Sequence, residues 1–414
     1  MITILQLSDI HFKKFDDAVD EFTEMRQRVK NCVDDYCKTG SIDCLMICGD
    51  VAFSGNAYEY ENKAKPFIND LLQFMGAEAK QVYLVPGNHD KNREAEGKHT
   101  RAFLRDGLLF DKQADFVLDN IKREEQKTMQ ALYKPFHDYM EFASEYDSLS
   151  DVANRVLSDT KIEFNDKMYR EYKLGDLGEY VVKLYGINSC LASDDRDDKE
   201  HLQALPKMTY NIVQERKVIN ISMMHHPMKF IKNGAELIEK ELDSKYSVQF
   251  YGHEHIPSFK NDSAVKIFSG ALQPDYENEK QKKIYRPVFN IIEMDVTEDT
   301  LSVKVKPYVW TWDQPEATFV KEEIKEFKHD LTMQRVAVTL RTVTPPLALP
   351  DGVTEREIKI RLANYSYYHN VIKEVYADFV LTNDKGKDCA KFFKRVDRDN
   401  NYLEVHKKLL RYGR

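Results

Sequence analysis

Five short strings in this chain carry side chains that bind divalent cations: Asp9-Ile10-His11, Gly49-Asp50, Gly87-Asn88-His89-Asp90, His225-His226-Pro227 and Gly252-His253-Glu254-His255. Each closes a hydrophobic run that reads as a strand. In an extended segment, residues i and i+2 share a side. On that geometry Asp9 and His11 face together with Ile10 turned away, and His253 and His255 face together with Glu254 turned away. The Asp50 carboxylate has two oxygens and can bridge two cations, while Asn88 offers a neutral carbonyl oxygen. Imidazole suits zinc, iron and nickel, whereas carboxylate and carbonyl oxygens suit manganese and magnesium, so a mixed set suits intermediate metals. Two such ions about 3.5–4 Å apart clamp the attacking and leaving oxygens of an in-line displacement, and a water bridging them is acidified toward hydroxide near neutral pH. Taken singly, Asp-x-His and Gly-Asp read equally well as turns, and Gly-Asn-His-Asp is only moderately specific. All five in order, each after an apolar run, are a specific signal.

This order and spacing resembles the calcineurin-like metallophosphoesterases, over roughly residues 1–312. The resemblance implies an α/β fold, a four-layer α/β-β/α sandwich of two mixed sheets flanked by helices. It implies a cofactor of two divalent metal ions, Mn²⁺ foremost, with Fe, Zn or Ni as alternatives. Asp9, His11, Asp50 and His255 would hold one ion, and Asp50, Asn88, His225 and His253 the other. A metal-bridged hydroxide would be the nucleophile. His89 would act as general acid or stabilise the phosphoryl oxygens, and Asp90 would orient His89 from behind. In the family pattern the first residue of the His-x-Pro string is the ligand, which makes His226 a neighbour. No expected ligand is missing.

The rest of the chain agrees with a globular enzyme. Its 414 residues suggest two or three domains, and a hydrophobic content of 42% supplies a sizeable core. No apolar run is long enough to span a membrane. The start, Met-Ile-Thr-Ile-Leu-Gln-Leu-Ser-Asp, enters a strand with no basic region or cleavage site, so no secretory signal is expected. The six cysteines form no Cys-x-x-Cys pair, and Cys44 and Cys48 share one strand face as buried thiols. A reducing, cytoplasmic location is the expectation.

Strands are expected at 2–7, 43–48 and 81–85, separated by a helix whose apolar face runs from Phe15 to Tyr36 and by a second helix over 57–75. This alternation argues a parallel sheet with ligands at the carboxyl ends of its strands. Further strands are expected near 179–187, 218–224, 247–251, 265–269, 286–296 and 301–310. The catalytic domain would span 1–320. Within it, residues 92–170, charged and mostly helical in pattern, would form an insertion, either a cap over the metals or a solvated decoration. Residues 321–414 would be a small accessory domain, with strands or short helices at Ile358–Leu362 and Val375–Leu381 and a helical ending at Tyr402–Leu410.

Residues 321–414 carry a net charge of +5, against −8 for the whole chain, which leaves −13 for the remainder. The stretch Lys391-Phe392-Phe393-Lys394-Arg395 interleaves aromatic and basic residues, as a nucleic-acid contact would, although a short charge run is more often a solvated face. The C-terminal region is a candidate for a protein partner or homo-oligomer contact. The expected substrate is a phosphodiester, a nucleotide or nucleic acid. The alternatives are a nuclease resembling the repair exonuclease subunits of the family, a phosphomonoesterase, or a catalytically silent interaction module.

Overall fold

The computed structural model of the chain describes residues 1–13, 22–78, 81–95, 126–146, 153–158, 161–164, 169–194, 203–232, 235–274, 284–312, 316–332, 353–364, 368–382 and 384–412. Its strands, in chain order, are β1 (Ile2–Leu7), β2 (Cys44–Ile47), β3 (Val82–Leu84), β4 (Ala153–Ser158), β5 (Lys161–Phe164), β6 (Arg170–Leu177), β7 (Tyr180–Ile187) and β8 (Val218–Met224). They continue with β9 (Val248–Tyr251), β10 (Ser258–Asn261), β11 (Val265–Phe268), β12 (Val288–Thr297), β13 (Thr300–Thr311), β14 (Thr318–Lys321) and β15 (Lys325–Asp330). The first sheet runs β14-β13-β12-β1-β2-β3, with β15 also on β13, and the second runs β10-β11-β9-β8-β7-β6. Both are mixed: β1, β2 and β3 are parallel and β12 is antiparallel to β1, while β7, β8, β9 and β11 are parallel and flanked by antiparallel β6 and β10.

Side-chain alternation builds the layers. In β1 and β2, Leu5, Leu7, Leu45 and Ile47 point outward onto Met25, Val29 and Val33 of the helix Thr23–Cys37 and onto Phe67, Ile68 and Leu71 of the helix Lys65–Met75. Ile4, Cys44 and Met46 point inward onto Val182, Leu184, Ile219, Ile221 and Phe250 of the second sheet. On the far side of that sheet, Met224, Tyr251 and Phe268 cover Ile238 and Leu242 of the helix Ala235–Lys245. Helix, sheet, sheet and helix therefore stack as four layers, and the central strands are apolar on both faces, as parallel strands covered by helices must be.

The insertion expected over 92–170 is, over residues 126–146, neither a cap nor a solvated decoration but packed into the core. Helices Gln126–Tyr133 and His137–Ser144, with the 3-10 turn Lys134–Phe136 between them, bury Tyr133, Phe136, Tyr139, Met140 and Phe142 in the same cluster as Leu5 and Leu71. Phe142 stacks on Tyr60 at 4.7 Å between centroids. These aromatics make the segment part of the outer helical layer. The stretch is also not purely helical, because β4 and β5 pair as an antiparallel hairpin. Residues 96–125 of the insertion, and Phe15 and Val19 of the first expected helix, lie outside the described residues. Within the helix expected over 57–75, Tyr60–Ala64 are wound as a π-helix.

The chain divides into two compact units, Met1–Val336 and Ala337–Arg414. The boundary expected at 320 falls inside β14, and β15 continues the sheet to Asp330. The second unit has its own core: Ile358, Leu362, Val371, Ile372, Phe392, Val396, Val405 and Leu409 from the helices Glu355–Asn364, Tyr368–Val375, Lys385–Asp399 and Tyr402–Tyr412. Residues 376–381 form no strand or helix. The interleaved string at 391–395 is an amphipathic helix face. Phe392 and Phe393 are buried in that core and cannot stack on a base, while Arg395 pairs with Asp378 at 3.0 Å and lies over Tyr376.

Candidate metal centre

Five loops leave the carboxyl ends of β1, β2, β3, β8 and β9, and each delivers one of the five strings. Backbone N–H groups of Asp9 and Ile10 donate to the carbonyls of Gly49 and Asp50 at 3.1 and 2.8 Å, which locks the first two loops together. Two glycines permit the close approach: a Cβ on Gly87 would lie 1.9 Å from Asp50 Oδ1, and one on Gly252 would lie 2.3 Å from both Ser8 Oγ and the Cys48 carbonyl.

The residues gather in two halves. Asp9, His11 and His255 bring ligand atoms within 4.8 Å of one another, and so do His225, His226 and His253. Asn88 joins the second half, its Oδ1 lying 3.0 Å from His225 Nε2 and 3.1 Å from His253 Nδ1. Asp50 stands between them, with Oδ2 3.1 Å from His11 Nε2 and 3.3 Å from His225 Nε2. His89 groups with His11 and Asp50, and its backbone N–H donates to Asp50 Oδ1 at 2.8 Å. All seven expected ligands and His89 thus converge.

The route to convergence differs from the expected one. β1 ends at Leu7 and β9 at Tyr251, so neither Asp9-x-His11 nor His253-x-His255 is an extended segment. Asp9, His11, Asp50 and His253 have φ of 50°, 53°, 54° and 65°, in the left-handed region, where a non-glycine backbone is strained by about 1–2 kcal/mol. The two histidines of the last string part company, His253 toward His225 and His255 toward Asp9.

Asp90 does not orient His89. Its carboxylate accepts from the backbone N–H of Val51 (3.2 Å), Ala52 (2.9 Å) and Gly87 (2.9 Å) and from the Tyr60 hydroxyl (2.9 Å). It ties the Asp50 loop to the Gly87 loop. Burial, together with the Asp50 charge, raises its pKa to about 6. His89 is oriented by a backbone group, Nδ1 donating to the Phe53 carbonyl at 2.8 Å, and burial lowers its pKa. No sequence signal marks a carbonyl for this role. His226, expected as a neighbour, touches the second half: its Nδ1 meets Ser189 Oγ at 3.0 Å and its ring lies 4.5 Å from that of His253.

The donor set fits divalent cations. His225 Nδ1 donates to the Cys48 carbonyl at 2.8 Å, so in the neutral ring the Nε2 lone pair faces His253 Nδ1 at 3.2 Å and the Asn88 oxygen. Such facing acceptors need a proton or a cation between them. Burial, reinforced by neighbouring imidazoles, holds His253 and His226 well below the ordinary histidine range, so both keep their lone pairs. Asp9 Oδ2 accepts from Ser8 Oγ (2.5 Å) and the His253 N–H (3.1 Å), while buried Oδ1 has no hydrogen-bond partner among the described residues; nor has His226 Nε2.

In the metal-free protein a proton takes the cation's place. Burial opposes a charge on His225, but the Asp50 carboxylate outweighs burial and lifts the imidazole to about 9. Burial likewise works against the Asp50 charge, yet His225 and the other imidazoles hold its pKa well below the usual range. The folded state therefore binds the His225 proton more tightly than the unfolded chain does. The stability this gives is fully present below the unfolded histidine value, about 6.5. It is lost as pH rises through about 9. The expected result is a thermal midpoint that falls over this window in chelator and does not fall with Mn²⁺, measured by calorimetry. A flat profile in chelator would exclude the protonated pair.

A sequence profile of the calcineurin-like phosphoesterase family matches residues 2–257. The uncharacterized metallophosphoesterase-like protein YydB of Bacillus subtilis is 25% identical over 327 residues, covering 75% of this chain and 60% of that protein. This chain thus spans less than two thirds of that relative's length. Among solved structures, a dimetal phosphatase from Danio rerio has a TM-score of 0.38 at 9% identity, covering 80% of this chain and 99% of that one. Purple acid phosphatase PPD1 from yellow lupin seeds has a TM-score of 0.37 at 10% identity, covering 80% and 54%. Vps29 of Chaetomium thermophilum has a TM-score of 0.33 at 10% identity, covering 80% and 99%. Among the described residues, no helix is long and apolar enough to cross a membrane. The profile match covers more than half of the sequence and runs through all five ligand-bearing loops: the chain belongs to the calcineurin-like phosphoesterases.

Proposed function

We propose that this chain is a metal-dependent phosphodiester hydrolase whose substrate is a nucleotide or nucleic acid. The observation that carries the reading is the placement of Asp50 between two histidine-bearing halves, 3.1 Å from His11 and 3.3 Å from His225, with His89 alongside. Asp9, His11, Asp50 and His255 would hold one divalent ion, and Asp50, Asn88, His225 and His253 the other. When bound, the pair supplies an acidified water and neutralises charge on the phosphoryl oxygens; Mn²⁺ suits the mixed nitrogen and oxygen donors.

The protein side chains do the rest. Asp50 fixes the spacing of the two halves. The Phe53 carbonyl keeps the proton of neutral His89 on Nδ1, so Nε2 is the atom left to meet substrate. Burial keeps His89 neutral in the free protein, and an anionic phosphoryl group beside Nε2 favours the imidazolium, which can then protonate the departing oxygen. The diester preference rests on the His225-His226-Pro227 string, which resembles the cyclic-nucleotide branch of the family. The test is a panel of bis-p-nitrophenyl phosphate, p-nitrophenyl phosphate, cyclic nucleotides and single- and double-stranded DNA, each with Mn²⁺ and with chelator. Metal-dependent cleavage of diesters over monoesters supports the reading, and cleavage of the monoester alone refutes it.

His89→Ala should lower turnover of bis-p-nitrophenyl phosphate by about 10²–10⁴-fold, the usual worth of a general acid or base, and leave both metals bound. Loss of metal from that variant, by elemental analysis, would place His89 among the ligands instead.

A further inference from the structure

One peptide unit holds the His89 ring. Its carbonyl, that of Phe53, accepts from His89 Nδ1 at 2.8 Å. The N–H of the same unit belongs to Ser54 and donates to Glu59 Oε2 at 2.9 Å. In a planar trans peptide the C=O and N–H point in opposite directions. The unit is therefore a strut, with an imidazole at one end and a carboxylate at the other.

Glu59 stands in an unusual place for a carboxylate, only 1% exposed. It closes a capping box with Asn56 at the single turn Ala57–Glu59, which is a reason for a glutamate at this position. Yet the capping bond, from the Asn56 N–H, is the long one at 3.5 Å, and the bond from Ser54 is the short one. Oε1 is buried and has no hydrogen-bond partner among the described residues. A buried acceptor left unmatched is costly, and a glutamate that only capped could keep that oxygen in water. Burial pushes the carboxyl above its ordinary range, and the Ser54 and Asn56 N–H groups oppose that shift. The next residue works on the same backbone. Tyr60, the first residue of the π-helix, donates its hydroxyl to Asp90 at 2.9 Å, and Asp90 accepts from the N–H groups of Val51 and Ala52. Two successive side chains thus fix the loop that leads from Asp50 to Ser54.

We propose that Glu59 is a positioning residue for His89: through the Phe53–Ser54 peptide it keeps the Phe53 carbonyl aimed at Nδ1 and strengthens it as an acceptor, so that the ring presents Nε2 to substrate. A hydrogen bond to an ionised group is about twice as strong as a neutral one, and linked hydrogen bonds polarise one another. The carboxylate does at one remove what a carboxylate in direct contact with an imidazole does, fixing its tautomer and orientation. The inference rests on the hydrolase reading for what His89 does, and not for how it is held.

The test is a double-mutant cycle on the Mn²⁺-loaded full chain with bis-p-nitrophenyl phosphate. Glu59→Gln keeps an oxygen for the Ser54 N–H but loses the charge. It should lower kcat about threefold, and Glu59→Ala about tenfold or more, with KM and metal content unchanged. On a His89→Ala background both losses should vanish, because nothing remains for the strut to hold. Asn56→Ala breaks the other half of the capping box, the Asn56 Oδ1 bond from the Glu59 N–H at 3.3 Å. It should lower the thermal midpoint and leave kcat near its original value. Unchanged kcat in both Glu59 variants, a loss that persists on the His89→Ala background, or an equal loss in Asn56→Ala overturns the proposal. If Glu59→Ala does not fold, the Glu59→Gln cycle decides alone. If the unaltered protein cleaves no diester, the hydrolase reading falls and the ring is read directly. In nitrogen-15 spectra of the Zn²⁺-loaded chain, the His89 Nδ1–H, assigned by its loss in His89→Ala, should exchange with water severalfold faster in the Glu59 variants. An unchanged exchange rate overturns the positioning itself.

Discussion

Asp50→Asn will leave almost no turnover, a loss on the order of 10²–10³-fold or more, whereas Asp9→Asn will retain measurable activity at saturating metal. The difference follows from what each carboxylate touches. Asp50 Oδ2 stands 3.1 Å from His11 and 3.3 Å from His225, and Oδ1 accepts the His89 backbone N–H at 2.8 Å. An asparagine must present its NH₂ either to the two imidazoles or to that N–H. The first removes a ligand atom shared by both halves, and the second sets donor against donor. The charge that holds His225 and the other histidines in place disappears as well. Asp9 offers its remaining oxygen to one half, where His255 Nε2 lies 3.8 Å away. Turnover of bis-p-nitrophenyl phosphate, with elemental analysis of each variant, checks the prediction. Equal and mild losses would show that Asp50 does not bridge.

Stripping the protein of metal should abolish activity and lower its thermal midpoint together. Loading with manganese should approach two ions per chain. Saturation of a single site about a thousandfold above its dissociation constant adds about 4 kcal/mol to stability. The structure predicts a large effect because so many acceptors converge: Asp50 and Asn88 oxygens, the lone pairs of His225 and His253, and the unpartnered Asp9 Oδ1. Chelation returns that cluster to mutual repulsion, relieved only where a proton can be taken up. Elemental analysis and calorimetry with and without chelator are the measurements. A metal content near zero in folded protein, or a melt indifferent to chelator, would remove the basis for the enzyme reading.

The central strands were legible because they are buried on both faces. Val218–Met224 and Tyr180–Ile187 are near-continuous apolar runs, and they appear where the sequence puts them. Two polar edge strands were not: β15, Lys325–Asp330, exposes every other residue, and β10, Ser258–Asn261, fully buries none of its residues, so their composition is that of a loop. The same limit misplaced the domain boundary. Within the site, side chains with metal chemistry were legible as types in order, and the family resemblance they suggested is the family to which the chain belongs. What no residue type announces is backbone: the Phe53 carbonyl behind His89, the Cys48 carbonyl behind His225, and the N–H groups that claim Asp90. At 391–395 a basic, aromatic alternation is also what an amphipathic helix looks like, and Phe392 and Phe393 went to the core.

The left-handed turns at the centre set durability against chemistry. Aspartate, asparagine and histidine adopt that conformation more readily than most residues, but only glycine does so without strain. His11 at φ 53° and His253 at φ 65° are held there for what their rings do. Laboratory evolution toward heat tolerance in the absence of metal should therefore drift first at these two positions, toward glycine. Each step would make the protein hardier and a poorer enzyme. Selection in the presence of Mn²⁺ should instead keep both histidines and collect its gains elsewhere, in the helical layers and the edge strands.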